Sequence, residues 1–365
     1  MTCDYIALAQ PGVQALQPYQ PGKPIEELER ELGISNIIKL ASNENPLGPS
    51  RLALEAVARS KRDMARYPDG SGFELKKALS DYLGVTPAQL TLGNGSNDVL
   101  ELIARAYGGP GTEIIFSQYA FAVYPLACIA VGATPVQTPA REWGHDLEAM
   151  QAAITDKTRL IFIANPNNPT GTCLGKVALE RFLNAVPENV IVVLDEAYGE
   201  YIDAPDYPDA LALMTRFPNL VVTRTFSKAW GLASLRIGYA ISHPQIANVL
   251  NRVRQPFNTN SFALAAAAAV LSDRDYLAEG KAINSQGLAQ LQQGFGEQKL
   301  SFIPSLGNFI AFDTGRNGVD VYNALLQLGV IVRPLAGYGM PNHLRVSVGL
   351  PQENQRFLEA LAQVL

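Results

Sequence analysis

Lys228 sits in Thr225-Phe-Ser-Lys-Ala-Trp-Gly, directly after the apolar run 220–225, and Arg236 follows eight positions later. Small, neutral and apolar neighbours disfavour the ammonium form of such a lysine and free its amine to form an imine with a carbonyl carbon. Thr225, Ser227 and Arg236 offer hydroxyl and guanidinium donors suited to a phosphate dianion. A second run, Val190-Ile-Val-Val-Leu-Asp-Glu-Ala-Tyr, closes on Asp195, with Tyr198 three residues on. A carboxylate there is costly to desolvate unless a cation faces it, for example a protonated ring nitrogen. A third run leads into Asn165-Pro-Asn-Asn-Pro-Thr-Gly. Its two X-Pro steps predict an extended, rigid loop that holds the amide of Asn168 in one orientation. Finally, Leu92-Gly-Asn-Gly-Ser-Asn-Asp reads as a strand-to-helix turn, an anion site without the lysine of a P-loop. Each motif alone has an ordinary reading: a solvated lysine, a capping aspartate, a plain turn. Together, Asn168, Asp195, Lys228 and Arg236 fall in order at successive strand ends.

The elements that must position them alternate. Short continuous apolar strands (113–116, 134–137, 160–164, 190–194 and 220–225) are separated by helical segments such as 98–107, 123–131 and 176–185. That pattern predicts an α/β fold, a mainly parallel sheet covered by helices on both faces, which collects ligands beyond the carboxyl ends of its strands. Residues 1–50, rich in Pro, Gly and Asn, predict an extended arm and a tight loop. From about residue 260, two helical stretches, short strands at 309–312, 330–333 and 343–348, and a C-terminal helix predict a smaller α+β domain. The expected division is an arm over 1–35 packing with the small domain and a partner subunit, a large domain over 36–258 and a small domain over 259–365.

Composition removes other classes. Among 365 residues, 34 acids face 29 bases, and the net charge of −5 leaves no electrostatic footprint for nucleic acid or for a membrane surface. The longest apolar run, 262–271, is about half a membrane span. Neither an export signal nor a metal site is expected: the three cysteines are scattered, and the three histidines lack ligand spacing. The expected compartment is the cytoplasm.

On these motifs the chain resembles the fold-type I aminotransferases, and among them the histidinol-phosphate aminotransferases, over essentially its whole length. The resemblance implies pyridoxal 5'-phosphate, carried on Lys228, with Asp195 on the pyridine nitrogen and Asn168 and Tyr198 on the phenolic oxygen. It implies a phosphate cup of Ser96, Asn97, Thr225, Ser227 and Arg236, and a stacking aromatic at Tyr119, with Phe121 close by. Arg66-Tyr-Pro-Asp resembles the segment whose tyrosine reaches a neighbouring subunit, implying a homodimer with Tyr67 acting in trans. Pro18-Tyr-Gln-Pro-Gly-Lys resembles the arm that closes over substrate, pointing to Tyr19, and Leu40-Ala-Ser-Asn-Glu-Asn-Pro resembles the loop at the substrate entrance. Arg345 and Arg333, in small-domain strands, are the candidates for the substrate's anionic end, where a planar fork suits phosphate or carboxylate.

The implied reaction is transamination between L-histidinol phosphate and 2-oxoglutarate, in histidine biosynthesis, with Lys228, Asp195 and Tyr198 as catalytic residues. Aromatic amino acids are alternative donors, and a decarboxylase of the threonine-phosphate type is the rival reading. A cofactor-binding transcriptional regulator is disfavoured by the acidic charge and by a cofactor domain that starts near residue 40.

Overall fold

The computed structural model of the protein describes residues 3–18 and 22–365. Its main sheet has seven strands in the order Leu90–Gly93, Gly238–Ile241, Leu220–Thr225, Ile191–Asp195, Thr158–Ala164, Glu113–Ser117 and Thr134–Thr138. Gly238–Ile241 runs antiparallel to both neighbours; the other pairings are parallel. The central strands Thr158–Ala164 and Ile191–Asp195 are buried, Arg159 alone being half-exposed, because successive side chains enter opposite cores. Ile161, Ile163, Val192 and Leu194 pack with helices Phe73–Leu83, Lys176–Ala185 and Ser261–Val270. Leu160, Phe162, Ile191 and Val193 pack with helices Ser96–Tyr107, Val123–Ala130 and Pro244–Val253. At roughly 1.5–3 kcal/mol for each large apolar side chain buried, these strands form a fixed platform for whatever follows them.

The second unit is a four-stranded antiparallel sheet, ordered Phe302–Ile303, Phe309–Asp313, His343–Ser347 and Arg333–Pro334. Helices Gly318–Gln327, Pro351–Val364 and the second half of Arg274–Glu297 cover it, with Leu291, Phe295, Phe312 and Phe357 at the centre. The continuous strand expected at 330–333 is two pieces. Val330–Ile331 pairs in parallel with Ile38–Lys39, whereas Arg333–Pro334 joins the antiparallel sheet.

The boundary expected at 259 falls too early. Ser261–Val270 places Ala263, Ala266, Ala267 and Val270 in the core of the large sheet, because its small side chains let it lie close against Arg51–Ser60 and Phe73–Leu83. The helix Arg274–Glu297 spans both units: Tyr276 and Leu277 pack on the large core, Leu291 and Phe295 in the small one. At the other end, Ile38 and Leu40 belong to the small-domain core, so the start expected at 36 is also displaced. Nor is the arm wholly extended. Ile25–Leu32 is a helix that buries Leu28 against Leu326 and Ile331, and its Ile25, Leu28, Leu32 spacing shows the helical period.

Candidate active site

Residues following the strands of the large sheet converge on one cavity, closed from the other side by the small domain. Lys228, Asp195, Tyr198, Asn168, Ser96, Asn97, Thr225, Ser227, Arg236, Arg333 and Arg345 all line it. Arg236 reaches the same edge because its strand is the antiparallel one: Gly238 pairs with Gly93 and Thr225, so this strand starts where its neighbours finish.

The electrostatics follow from enclosure. Lys228 Nζ donates to Ser42 O at 2.8 Å. Burial, with Arg345 next in weight, pushes its ammonium down to about 7. The amine is therefore largely neutral in mildly alkaline solution, the form that attacks carbonyl carbon. Burial pushes the Asp195 carboxyl up to about 6, against hydrogen bonds from Tyr124 Oη and Thr223 Oγ1, each 2.9 Å. Tyr198 is buried, its phenol pushed up to about 12 by desolvation, and its Oη accepts from Asn43 Nδ2 at 2.9 Å.

Two sets of cationic and N–H donors face the cavity, one from each domain. In the first, the helix Ser96–Tyr107 begins with Asp98 in its first turn and Gly95 as its cap. Gly95 has φ 85°, and a Cβ there would fall 2.3 Å from Arg236 Nη2; only glycine leaves room for the guanidinium over the helix N-terminus. Arg236 adopts φ 57° and donates to Ser227 Oγ (3.3 Å) and Ala233 O (3.1 Å). Helix N–H groups, hydroxyls and a guanidinium together are a donor set suited to a phosphate. In the second, buried Arg345 donates to Asn168 Oδ1 and to Ala41 O (2.7 Å), with its guanidinium 5.2 Å from the Phe309 ring centroid. The cavity thus offers a phosphate cup, an amine of lowered basicity, a buried acid and an aromatic face, which is the donor set pyridoxal phosphate requires.

Tyr119 does not line the cavity; Phe121 does. Tyr119 has φ 57°, and its ring lies 5.2 Å from Trp143 and packs among Leu335 and Met340 of the small domain. Tyr67 is 82% exposed and stacks on Phe257 (4.8 Å, 19°), away from this chain's own cavity. Tyr19 lies outside the described residues. Both X-Pro bonds, Asn165–Pro166 and Asn168–Pro169, are cis.

The sequence reading did not single out Asn43, Tyr124 or Thr223. Asn43 lies inside the entrance-loop motif that was noticed; it accepts from Ser347 Oγ (2.9 Å) and donates to Tyr198. Tyr124 and Thr223 sit within ordinary helical and strand patterns, and only the fold brings them to Asp195. His145 is buried with Nε2 2.8 Å from Ala164 O, and burial pushes it down to about 4. Among the described residues no group of three His, Cys, Asp or Glu could hold a metal ion, and no helix is long and apolar enough to cross a membrane.

Comparison with known proteins agrees with this geometry. Histidinol-phosphate aminotransferase 2 of Pseudomonas aeruginosa is 62% identical over 364 residues, 99% of each chain. Histidinol-phosphate aminotransferase 1 of Nitrosococcus oceani is 56% identical over 99% of this chain and 98% of its own. The crystal structure of the Sinorhizobium meliloti histidinol-phosphate aminotransferase in complex with pyridoxal-5'-phosphate superposes with a TM-score of 0.89 at 30% identity, covering 98% of this chain and 97% of that one. The model of class I and II aminotransferases matches residues 35–361, and with a lysine, an acid and two anion sites around one cavity, the chain belongs to that family.

Proposed function

We propose that the chain is a pyridoxal-phosphate-dependent aminotransferase that moves the amino group of L-histidinol phosphate to 2-oxoglutarate, in histidine biosynthesis. One observation carries this reading: a single cavity is lined by Lys228 and Asp195 together with Arg236 from the large sheet and Arg345 from the small domain. Two anionic ends therefore have separate partners, one for the cofactor phosphate and one for the substrate.

Bound there, the cofactor supplies an electrophilic carbon and an electron-withdrawing ring. The chain does the rest. Arg236, Ser227, Thr225 and the N–H groups at Ser96 and Asn97 hold the phosphate. Asp195 keeps a proton on the ring nitrogen. Asn168 and Tyr198 direct hydrogen bonds at the phenolic oxygen, and the Arg345 bond to Asn168 Oδ1 leaves the amide nitrogen for that task. Phe121, which lines the cavity, would cover one face of the ring. Lys228 would carry the cofactor, and its Nζ, in the neutral form that burial favours, would take up and return the proton at the substrate's reacting carbon. Arg345, with Arg333, takes the phosphate of histidinol phosphate in one half-reaction and a carboxylate of 2-oxoglutarate in the other, since the guanidinium fork fits both.

The assembly we infer is a cytoplasmic homodimer in which Tyr67 reaches the partner's cofactor phosphate. Its support is an exposed apolar cluster of Met64, Tyr67 and Phe257, with Tyr67 stacked on Phe257.

The decisive experiment offers purified protein with pyridoxal phosphate either histidinol phosphate, phenylalanine, tyrosine or aspartate, with 2-oxoglutarate as acceptor. Glutamate should form fastest with histidinol phosphate, with ping-pong kinetics. Carbon dioxide release without need of an oxo acid would replace this reading with a decarboxylase.

A further inference from the structure

The acid beneath the cavity is held by residues that never touch it from the cavity side. Tyr124 Oη donates to Asp195 Oδ2 and Thr223 Oγ1 donates to Oδ1, both at 2.9 Å. Each carboxylate oxygen thus has a neutral donor on the protein side, and its remaining lone pairs are left for the cavity. Tyr124 is wholly buried and absent from the cavity lining. Its ring stacks on Phe162 (4.8 Å, 8°) and presents an edge to Phe121 (5.8 Å, 86°), the aromatic that does line the cavity. One phenol therefore contacts both the acid and the ring-covering aromatic.

We propose that Tyr124 is a positioning residue that keeps Asp195 ionised and aimed into the cavity while supporting Phe121 behind the cofactor plane. The inference rests on the function proposed above. The groups facing Asp195 explain why a neutral donor is needed. Glu196, next in the chain, adds negative charge, although Arg224 pairs with it at 2.8 Å. Tyr198 faces it from the following turn and Lys228 shares the cavity. His145 lies behind, bonded to the carbonyl of Ala164, the residue paired with Asp195 across the strands; burial keeps it neutral. None of these is a cation bonded to Asp195, so the two hydroxyls oppose the desolvation that drives the carboxyl up. Tyr124 itself is pushed well above the usual phenol range by burial and by Asp195, so it stays a donor.

The test uses the full-length chain with carbon-13 in aspartate carboxyls, the Asp195 signal being assigned by its loss in Asp195→Asn. Tyr124→Phe, which keeps both ring contacts, should raise the titration of Asp195 in the cofactor-free chain by roughly one pH unit. In the loaded enzyme, nitrogen-15 in the cofactor ring should move toward its unprotonated position, because a more basic carboxylate takes a larger share of the shared proton. kcat should fall by about tenfold while the donor's KM stays within about twofold, since Tyr124 does not line the cavity. Should Tyr124→Phe fail to fold, 3-fluorotyrosine at position 124 keeps the packing and strengthens the donor, and must move the Asp195 titration down. A titration unmoved by fluorotyrosine, or by a folded Tyr124→Phe, overturns the inference. Wild-type protein inactive on every amino donor would overturn the function instead, and leaves the titration result readable.

Discussion

The two walls of the cavity are built on different principles. The wall from the large sheet is anchored locally: Asp195 is held by Thr223 on the neighbouring strand and by Tyr124, and Arg236 by Ser227 and the turn beside it. The wall from the small domain is anchored across the gap. Arg345 donates to Asn168 and Ala41, and Ser347 donates to Asn43, which in turn donates to Tyr198. The first arrangement suits groups that must not move while protons do; the second suits groups that meet a new ligand in each half-reaction. Chemistry and recognition are divided between the walls.

That division is broken or sharpened by how substitutions split between kcat and KM. Lys228→Ala removes both covalent attachment and proton transfer, so turnover should fall by at least about 10^4-fold, measured as glutamate formation, with loss of the bound-cofactor absorbance. Asp195→Asn keeps the shape and removes the charge; kcat should drop roughly 10^2- to 10^3-fold with little change in the donor's KM.

The same variant carries a pH signature. Because the folded carboxyl titrates near 6 rather than 3.8, the cofactor-free wild type is stabilised by this group below pH 4 and loses that contribution as pH rises to 6, about 3 kcal/mol in all. Urea unfolding across pH 3.5–8 should show that decline in the wild type and a flatter profile in Asp195→Asn. On the other wall, Arg345→Gln should raise KM for histidinol phosphate roughly 10- to 100-fold with a smaller change in kcat. Arg333→Gln, at a less buried site, should raise it only about fivefold. An Arg345 variant that lost kcat at unchanged KM would erase the distinction between walls.

The wall that does chemistry was the legible one. Its residues follow apolar runs directly, so the strand that creates the environment and the side chain that uses it are adjacent in the chain. Phe121 was harder: it and Tyr119 are two residues apart, and only the left-handed backbone at 119 turns one ring to the small domain and leaves the other to the cavity. Tyr124 and Thr223 reach Asp195 from 71 and 28 residues away, through an ordinary helix and an ordinary strand. The start of the small domain was misread because an alanine-rich helix carries little periodicity to say which core it joins.

The short parallel pairing of Ile38–Lys39 with Val330–Ile331 has a consequence for the lysine. Leu40 bonds Ile331 O and Asn43 N bonds Ser347 Oγ, so the intervening Ser42, whose carbonyl solvates the Lys228 ammonium, is bolted to the small domain at both ends. A rotation of that domain away from the sheet would carry off both that carbonyl and Arg345 and would let water reach the amine, lifting the burial and the like charge that hold it down. Opening the mouth and recharging the amine are then one movement, coupled through the backbone from Leu40 to Asn43.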